Sequence, residues 1–352
     1  MRPIRVLVVE DSPVVAEHLR RIISTDSRFE VAGIASSGED ALAMVERLSP
    51  DVISMDIHLP GMQGFEVTRR IMARQPTPIV IVSGIRGDDV PVSMRALQAG
   101  ALSVVEKPPA NTHEDYEALA GKLRTQLAIM SEVKVVRQRE PLPTLYTPVA
   151  TQLAPSAARG PYRVLGIAAS TGGPGALMQL LTALGGDFPL PVLIVQHMTP
   201  AFLHGFAKWL ASVIPLPVSI VDSATSLAAS HVYLAPANDR HLAIRGSTAY
   251  PDPGPPSGVH RPSANVLFSS MAQAVGSAGV GVLLTGMGDD GAAGLYELKQ
   301  AGSWAIAEHE STATVYGMPA AAVKMGAVHE SLPLPQIAPR ILEVIAARKE
   351  VL

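Results

Sequence analysis

The sequence contains no cysteine. That absence excludes disulfides, thiolate catalysis and cysteine-ligated zinc together. Charge is scarce as well: charged residues make up 17% against 47% hydrophobic, a balance that suits packed globular domains rather than disorder. The formal net charge of −3 gives no reason to expect nucleic acid or an anionic membrane as partner. No apolar run approaches the roughly 20 residues of a membrane-spanning helix, so direct membrane insertion is not expected. Met1-Arg2-Pro3-Ile4-Arg5 leads into Glu10-Asp11 after a short apolar run, which is no signal peptide, and a cytoplasmic protein is expected. At 352 residues the chain is long enough for two domains.

One stretch organises the rest: Gly166-Ile167-Ala168-Ala169-Ser170-Thr171-Gly172-Gly173-Pro174-Gly175. Tyr162-Arg163-Val164-Leu165 before it reads as the approach of a buried strand, and Ala176–Leu181 after it is apolar at helical spacing. A strand, a Gly-rich turn carrying one serine and then a helix can expose a nucleophile beside free backbone N–H groups. The same glycines could cradle a phosphate, or Ser170 could cap the helix. The G-x-S-x-G elbow pattern fails, because Ala168 stands where its first glycine belongs.

In the first part of the chain, short apolar strands alternate with helices. Val6–Val9 ends in Glu10-Asp11, and Ser12-Pro13 opens a helix. Val31–Ala35 is a second strand, followed by a helix over Gly38–Leu48. Val52–Met55 ends in Asp56, Pro78–Val82 ends in Ser83-Gly84, and Ala101–Val105 ends in Glu106-Lys107-Pro108. This alternation implies an α/β fold with a doubly wound, mostly parallel sheet, whose site lies at the carboxyl ends of the strands. Those ends collect Glu10, Asp11, Asp56, Ser83 and Lys107. The carboxylates suit a hard dication such as Mg²⁺, with Asp56 as nucleophile toward a phosphoryl group and Ser83 and Lys107 neutralising the product.

This pattern, with Met55-Asp56-Ile57-His58-Leu59-Pro60-Gly61-Met62 around the acid, resembles the receiver domain of two-component response regulators over residues 4–125. The resemblance implies a flavodoxin-like receiver phosphorylated at Asp56, with Mg²⁺ on Glu10, Asp11 and Asp56, and a histidine kinase as phosphodonor. Receivers often carry an aromatic three residues before the lysine. Here that position is Val104.

From Ser131 to Tyr162 the periodicity lapses. Pro141, Pro143, Pro148, Pro155 and Pro161 fall there among Thr, Ser, Ala and Gln, which reads as a semi-rigid interdomain linker. The expected division is therefore a receiver over 1–130, a linker over 131–162 and a catalytic domain over 163–352.

Strands and helices alternate again from Arg163. Val192–Val195 delivers Gln196-His197-Met198, and Thr199-Pro200 starts a helix. Val232–Leu234 ends in Ala235-Pro236. Val280–Leu284 runs into Thr285-Gly286-Met287-Gly288-Asp289-Asp290-Gly291, followed by a helix over Ala292–Gln300. Ser170, His197 and Asp290 thus each follow a strand, where a serine, a general base and an orienting acid can converge. The chain order Ser–His–Asp is not that of α/β-hydrolases, which argues against that fold and not against the chemistry.

Ala169–Gly173, Gln196-His197-Met198, His260-Arg261-Pro262-Ser263 and Leu284–Gly291 together resemble the catalytic domain of the chemotaxis methylesterase family, CheB. A receiver joined by a linker to this domain is that family's own arrangement. The resemblance implies a Rossmann-like protein-glutamate methylesterase, often also a glutamine deamidase, acting on methyl-accepting chemoreceptors through Ser170, His197 and Asp290 without a cofactor. Thr171 and Met287 are the candidate oxyanion donors. Asn265 stands where an acid is common, and Gln63 likewise. Neither is expected to touch the chemistry. Two other classes remain: a phosphorylation-dependent binding switch on an inactive hydrolase fold, and a nucleotide cradle at Ser170. The cradle lacks the lysine of a P-loop and an acid at ribose distance, and no basic recognition helix follows the linker to suggest a transcriptional role.

Overall fold

A computed structural model of the chain describes residues 2–84, 93, 95–97, 99–108, 116–133, 135, 161–236, 239–255 and 260–349. The chain divides into two compact units, Met1–Ala150 and Thr151–Leu352. Most of the expected linker over 131–162 lies outside the described residues.

The first unit is built on strands β1 (Ile4–Val9), β2 (Phe29–Ala35), β3 (Val52–Met55), β4 (Ile79–Ser83) and β5 (Ser103–Glu106). They form one parallel sheet in the order β2-β1-β3-β4-β5. Buried strands with helices on both faces explain why β3 and β4 read as unbroken apolar runs. Pro13–Ser24, Gly38–Leu48, Gly64–Arg74 and Tyr116–Ser131 are helices of this unit. Ser12 and Ser37 cap the first two by accepting a backbone N–H within the first turn. The strand order reverses between β1 and β3, so the loops carrying Glu10-Asp11 and Asp56 meet at the topological switch point.

The second unit repeats the plan. Its strands β6 (Val164–Ala169), β7 (Val192–Gln196), β8 (Val218–Ile220), β9 (Thr225–Ser226), β10 (Val232–Leu234), β11 (His241–Arg245), β12 (Thr248–Asp252), β13 (Gly279–Leu283), β14 (Trp304–Glu308) and β15 (Glu330–Leu332) divide between two sheets. A parallel sheet runs β15-β14-β13-β6-β7-β10-β8, and an antiparallel one runs β11-β12-β9. The small antiparallel sheet is not apparent from the sequence periodicity, because its strands are short and follow one another through turns. In the large sheet Ala169 pairs with Gln196, and Ala168 with Leu283. These registers bring the ends of β6, β7 and β13 level, so the loops bearing Ser170, His197 and Asp290 leave one edge together. The order reverses between β6 and β13, which makes this edge a switch point too. Beneath it Phe268, Met271, Leu283 and Leu295 are fully buried in one core. Among the described residues no helix is long and apolar enough to cross a membrane.

Candidate active site

The serine turn is held by backbone bonds. β6 continues through Gly166–Ala169, so the turn proper is Ser170-Thr171-Gly172, and the next helix spans Gly173–Leu184. Ser170 N donates to Thr285 O at 2.9 Å, and Ser170 O accepts from Gly173 N at 2.9 Å. The helix is capped by Gly172 without a side-chain bond, so Ser170 Oγ is not spent as a cap. Gly172 has φ of +80°, and a Cβ there would lie 2.5 Å from Thr314 Cβ, so a glycine is required. Gly173 packs as closely on Gln196, whose Nε2 donates to Ser170 O at 2.8 Å and to His197 O at 3.0 Å.

His197 follows β7 and is fixed from two sides. Its Nε2 lies 2.9 Å from Asp290 Oδ2. Its ring stacks on His260 with centroids 4.4 Å apart and 6° between planes. Burial, and then the neighbouring His197, hold His260 below the ordinary imidazole range. His197 Nδ1 is buried and, among the described residues, has no hydrogen-bond partner. Nδ1 is therefore the nitrogen left for Ser170, although no bond joins the two side chains in this structure.

Asp290 is almost fully buried, with 2% exposure, and every donor it meets is fixed. Oδ1 accepts from Ser263 Oγ at 2.6 Å and from Asn265 N at 3.2 Å. Oδ2 accepts from Ala264 N at 2.7 Å as well as from His197. Ser263 caps the helix Ala264–Val275, so the carboxylate sits on that helix's amino end. Burial alone would raise its pKa; the bonds from His197, Ser263 and Ala264 prevail and hold it at about 2. Asp289 beside it is exposed.

The expectation that Asn265 stays clear of the chemistry is overturned. Its backbone N–H reaches Asp290, and its Oδ1 accepts from Gly291 N at 3.0 Å and Gly294 N at 2.8 Å. It clamps the turn that carries Asp290 because it occupies the first helical turn after Ser263. Gln63 caps the helix Gly64–Arg74 by backbone alone.

Of the oxyanion candidates, Thr171 is half-buried and Met287 is 42% exposed. Gly286 packs against Ser170: a Cβ on it would come 2.7 Å from Ser170 Cβ. Among the described residues neither the Thr171 nor the Met287 N–H is donated elsewhere. A groove of about 390 Å³ lies on the far side of Asn265, between Asp252, Gln273 and Glu297. None of the three candidate catalytic residues lines it.

Several residues here carried no role in the sequence reading. Ser263 before Ala264-Asn265-Val266-Leu267 has the form of a helix cap and was legible as such. Thr285 is the larger omission. It accepts from Ser170 N, donates Oγ1 to Thr171 O at 2.9 Å, and gives its own N–H to Glu308 Oε2 at 2.8 Å. Glu308 is fully buried at the end of β14. Burial raises its pKa despite the opposing bonds from Thr285 and Thr312, and among the described residues its Oε1 makes no hydrogen bond of normal length.

In the first unit Glu10, Asp11, Asp56 and Lys107 come together, and Ser83 O accepts the Lys107 N–H at 2.8 Å. Lys107 Nζ lies 2.8 Å from Glu10 Oε2 and 3.0 Å from Asp56 Oδ2. Asp56 Oδ1 accepts from Ile57 N at 2.7 Å. Burial and the nearby Asp56 raise the Glu10 carboxyl, with Lys107 opposing. Burial alone would lower the Lys107 ammonium, but Asp56 and Glu10 outweigh it and raise its pKa. Glu10, Asp11 and Asp56 each offer a carboxylate oxygen within 4.8 Å of the others. Ser83 is buried on β4, with Oγ donating to Gly84 O at 3.0 Å. Val104 packs half-buried against this unit's core.

Residues 165–341 match the CheB methylesterase family, and residues 6–115 match the response regulator receiver domain. A protein-glutamate methylesterase/protein-glutamine glutaminase of Paramagnetospirillum magneticum is 48% identical over 97% of this chain and 98% of its own length. The chain belongs to the CheB methylesterase family. A second such relative, from Myxococcus xanthus, is 43% identical over 96% of each chain. The crystal structure of the CheB methylesterase catalytic domain of Thermotoga maritima superposes with a TM-score of 0.50 at 31% identity, covering 52% of this chain and 98% of that one. The two units described above are thus those of a CheB protein: a receiver-type sheet and a catalytic sheet.

Proposed function

We propose that this CheB protein is a phosphorylation-regulated protein-glutamate methylesterase that also deamidates glutamine, acting in the cytoplasm on methyl-accepting chemoreceptors. The observation that carries the reading is the His197–Asp290 bond at 2.9 Å, on the strand edge that also bears Ser170. In the reaction His197 Nδ1 takes the Ser170 proton as Oγ attacks the γ-carbonyl of a glutamyl methyl ester. Asp290 holds the imidazole in the tautomer protonated at Nε2 and stabilises the imidazolium. The Thr171 and Met287 N–H groups receive the oxyanion. The intermediate collapses, the imidazolium protonates the leaving methoxide, and methanol departs. Water activated by His197 then hydrolyses the acyl-enzyme to glutamate and restores Ser170. With an amide substrate, ammonia leaves by the same path.

The receiver-type unit accepts phosphate on Asp56 from a chemotaxis-type histidine kinase. Glu10, Asp11 and Asp56 form an all-oxygen set that fits Mg²⁺. Bound there, the ion neutralises charge on the transferring phosphoryl group. Lys107 and Ser83 then engage the phosphoryl oxygens. Methanol release from methylated chemoreceptor, measured with and without a small phosphodonor, tests the whole reading. Absence of methanol under both conditions would favour an inactive hydrolase fold serving as a binding switch.

A further inference from the structure

His241 opens β11 on the small antiparallel sheet and is fully buried, 0% exposed. No step of the mechanism uses it. Its two ring nitrogens have opposite duties. Nδ1 accepts the Ser263 backbone N–H at 3.0 Å, and Nε2 lies 2.9 Å from Pro255 O. Because Ser263 N can only donate, Nδ1 carries no proton, and the ring hydrogen sits on Nε2 and points at the carbonyl. Ser263 in turn directs its hydroxyl to Asp290 Oδ1 at 2.6 Å, and Asp290 holds His197. Four residues, one on β11 and three on separate loops, are thereby joined in series.

We infer that His241 is a positioning residue for the esterase reaction, fixing Ser263 through Nδ1 and thereby the Asp290 carboxylate that orients His197. The inference rests on the Ser170–His197–Asp290 reading above. Its physical basis is that Ser263 sits at a helix boundary with extended φ and ψ of −112° and 135°, where backbone orientation is decided by the bonds made there. Without an acceptor at Nδ1, a buried N–H is left unsatisfied. The Ser263 backbone then rotates to find one, and its hydroxyl leaves the 2.6 Å contact.

The test separates the two nitrogens. In His241→Asn the amide oxygen falls near the position of Nδ1, so it can accept from Ser263. In His241→Gln the longer amide falls near Nε2 and keeps only the contact to Pro255. Turnover of methyl ester by full-length protein should fall about tenfold or more in His241→Gln with KM unchanged, and His241→Asn should recover most of it. In an Asp290→Asn background the His241→Gln substitution should have little further effect, since its route is already cut. Equal turnover in the two His241 variants, or additive losses in the double variant, would overturn the inference. Should His241→Gln fail to fold, Ser263→Ala carries the test: it keeps the backbone N–H but removes the hydroxyl on Asp290. It must then lower kcat at constant KM, and wild-type kcat in a folded Ser263→Ala protein overturns the chain. Asp290→Asn alone tells the two readings apart. If it is fully active the triad reading fails, whereas an impaired Asp290→Asn beside a fully active His241→Gln removes only the role of His241.

Discussion

His197 meets Asp290 through Nε2, 2.9 Å from Oδ2, and among the described residues its buried Nδ1 has no hydrogen-bond partner. Ser170→Ala and His197→Ala are each expected to lower kcat about 10⁴-fold or more, and Asp290→Asn to lower it strongly with the fold intact. The exposed neighbour is the control, because Asp289→Asn should keep near-wild-type turnover. A fluorophosphonate should label wild type and leave Ser170→Ala unlabelled. An inactive Asp289→Asn beside an active Asp290→Asn would move the orienting acid by one residue.

Asp290 also contributes to stability. Its pKa is about 2 when folded against an ordinary 3.8, so between these values the unfolded chain binds more protons than the folded one. The difference amounts to about 2 kcal/mol of stability. It is fully present above pH 3.8 and is lost as pH falls toward 2. Urea melts of the second unit between about pH 5 and pH 2.5 should therefore lose stability more steeply in wild type than in Asp290→Asn. Parallel curves would count against this account.

Glu308 has the opposite sign. Burial raises its pKa above the ordinary 4.5, so the folded state binds more protons than the unfolded chain. Its stabilising contribution is complete below pH 4.5 and is lost as pH rises through the folded value. Glu308→Gln keeps an oxygen for the Thr285 N–H and carries no titrating proton. The variant should be more stable than wild type at pH 8, with the gap closing toward pH 4.5. Thermal unfolding at the two pH values reads this directly. A variant less stable at pH 8 would mean that the ionised carboxylate is what the Thr285 turn needs.

In the other unit, Lys107 bridges Glu10 and Asp56. Acetyl phosphate should modify wild type only when Mg²⁺ is supplied, and Asp56→Ala should stay unmodified. Lys107→Ala should still accept phosphate, since the nucleophile and the carboxylate set are intact, but should transmit it poorly to esterase activity. Intact-protein mass spectrometry checks the first two outcomes, and methanol release checks the third. Equal labelling of wild type and Asp56→Ala would remove Asp56 as the site.

What the sequence made legible follows from how local each signal is. The helices Gly38–Leu48 and Ala292–Gln300 and the strands Val52–Met55 and Val232–Leu234 fall at the bounds that periodicity and caps assign them. Each is decided within its own segment. Ser170, His197 and Asp290 could be singled out for a similar reason, since each lies on the loop that follows a strand. Contacts made across loops were not. His241 reaches Ser263 through a small antiparallel sheet whose two-residue strand β9 has no periodic signature. Asn265 gave no sign of its contacts because neither of its side-chain partners, Gly291 and Gly294, has a side chain to suggest them. Glu308 was hidden by its position, since an acid at the end of an apolar strand reads equally well as solvated or buried.

Regulation is expected to follow from domain order. Each unit has its site at a carboxyl strand edge, and the two are joined through a proline-rich segment over 131–162. Such a tether raises the effective concentration of each unit at the other. If the unphosphorylated receiver covers the approach to Ser170, phosphate on Asp56 need only favour the uncovered form. Moving that balance from 1:99 to 99:1 takes about 5.5 kcal/mol, and a smaller shift takes proportionately less. The new dianion faces Lys107, whose present bonds to Glu10 and Asp56 must rearrange to meet it. Val104 on β5 offers no ring to rotate. A protein beginning at Tyr162 should therefore release methanol without any phosphodonor, at a rate at least equal to that of phosphorylated full-length protein. A truncated domain that is folded by circular dichroism but slower than the unphosphorylated full chain would show that the receiver activates the esterase by contact rather than restraining it.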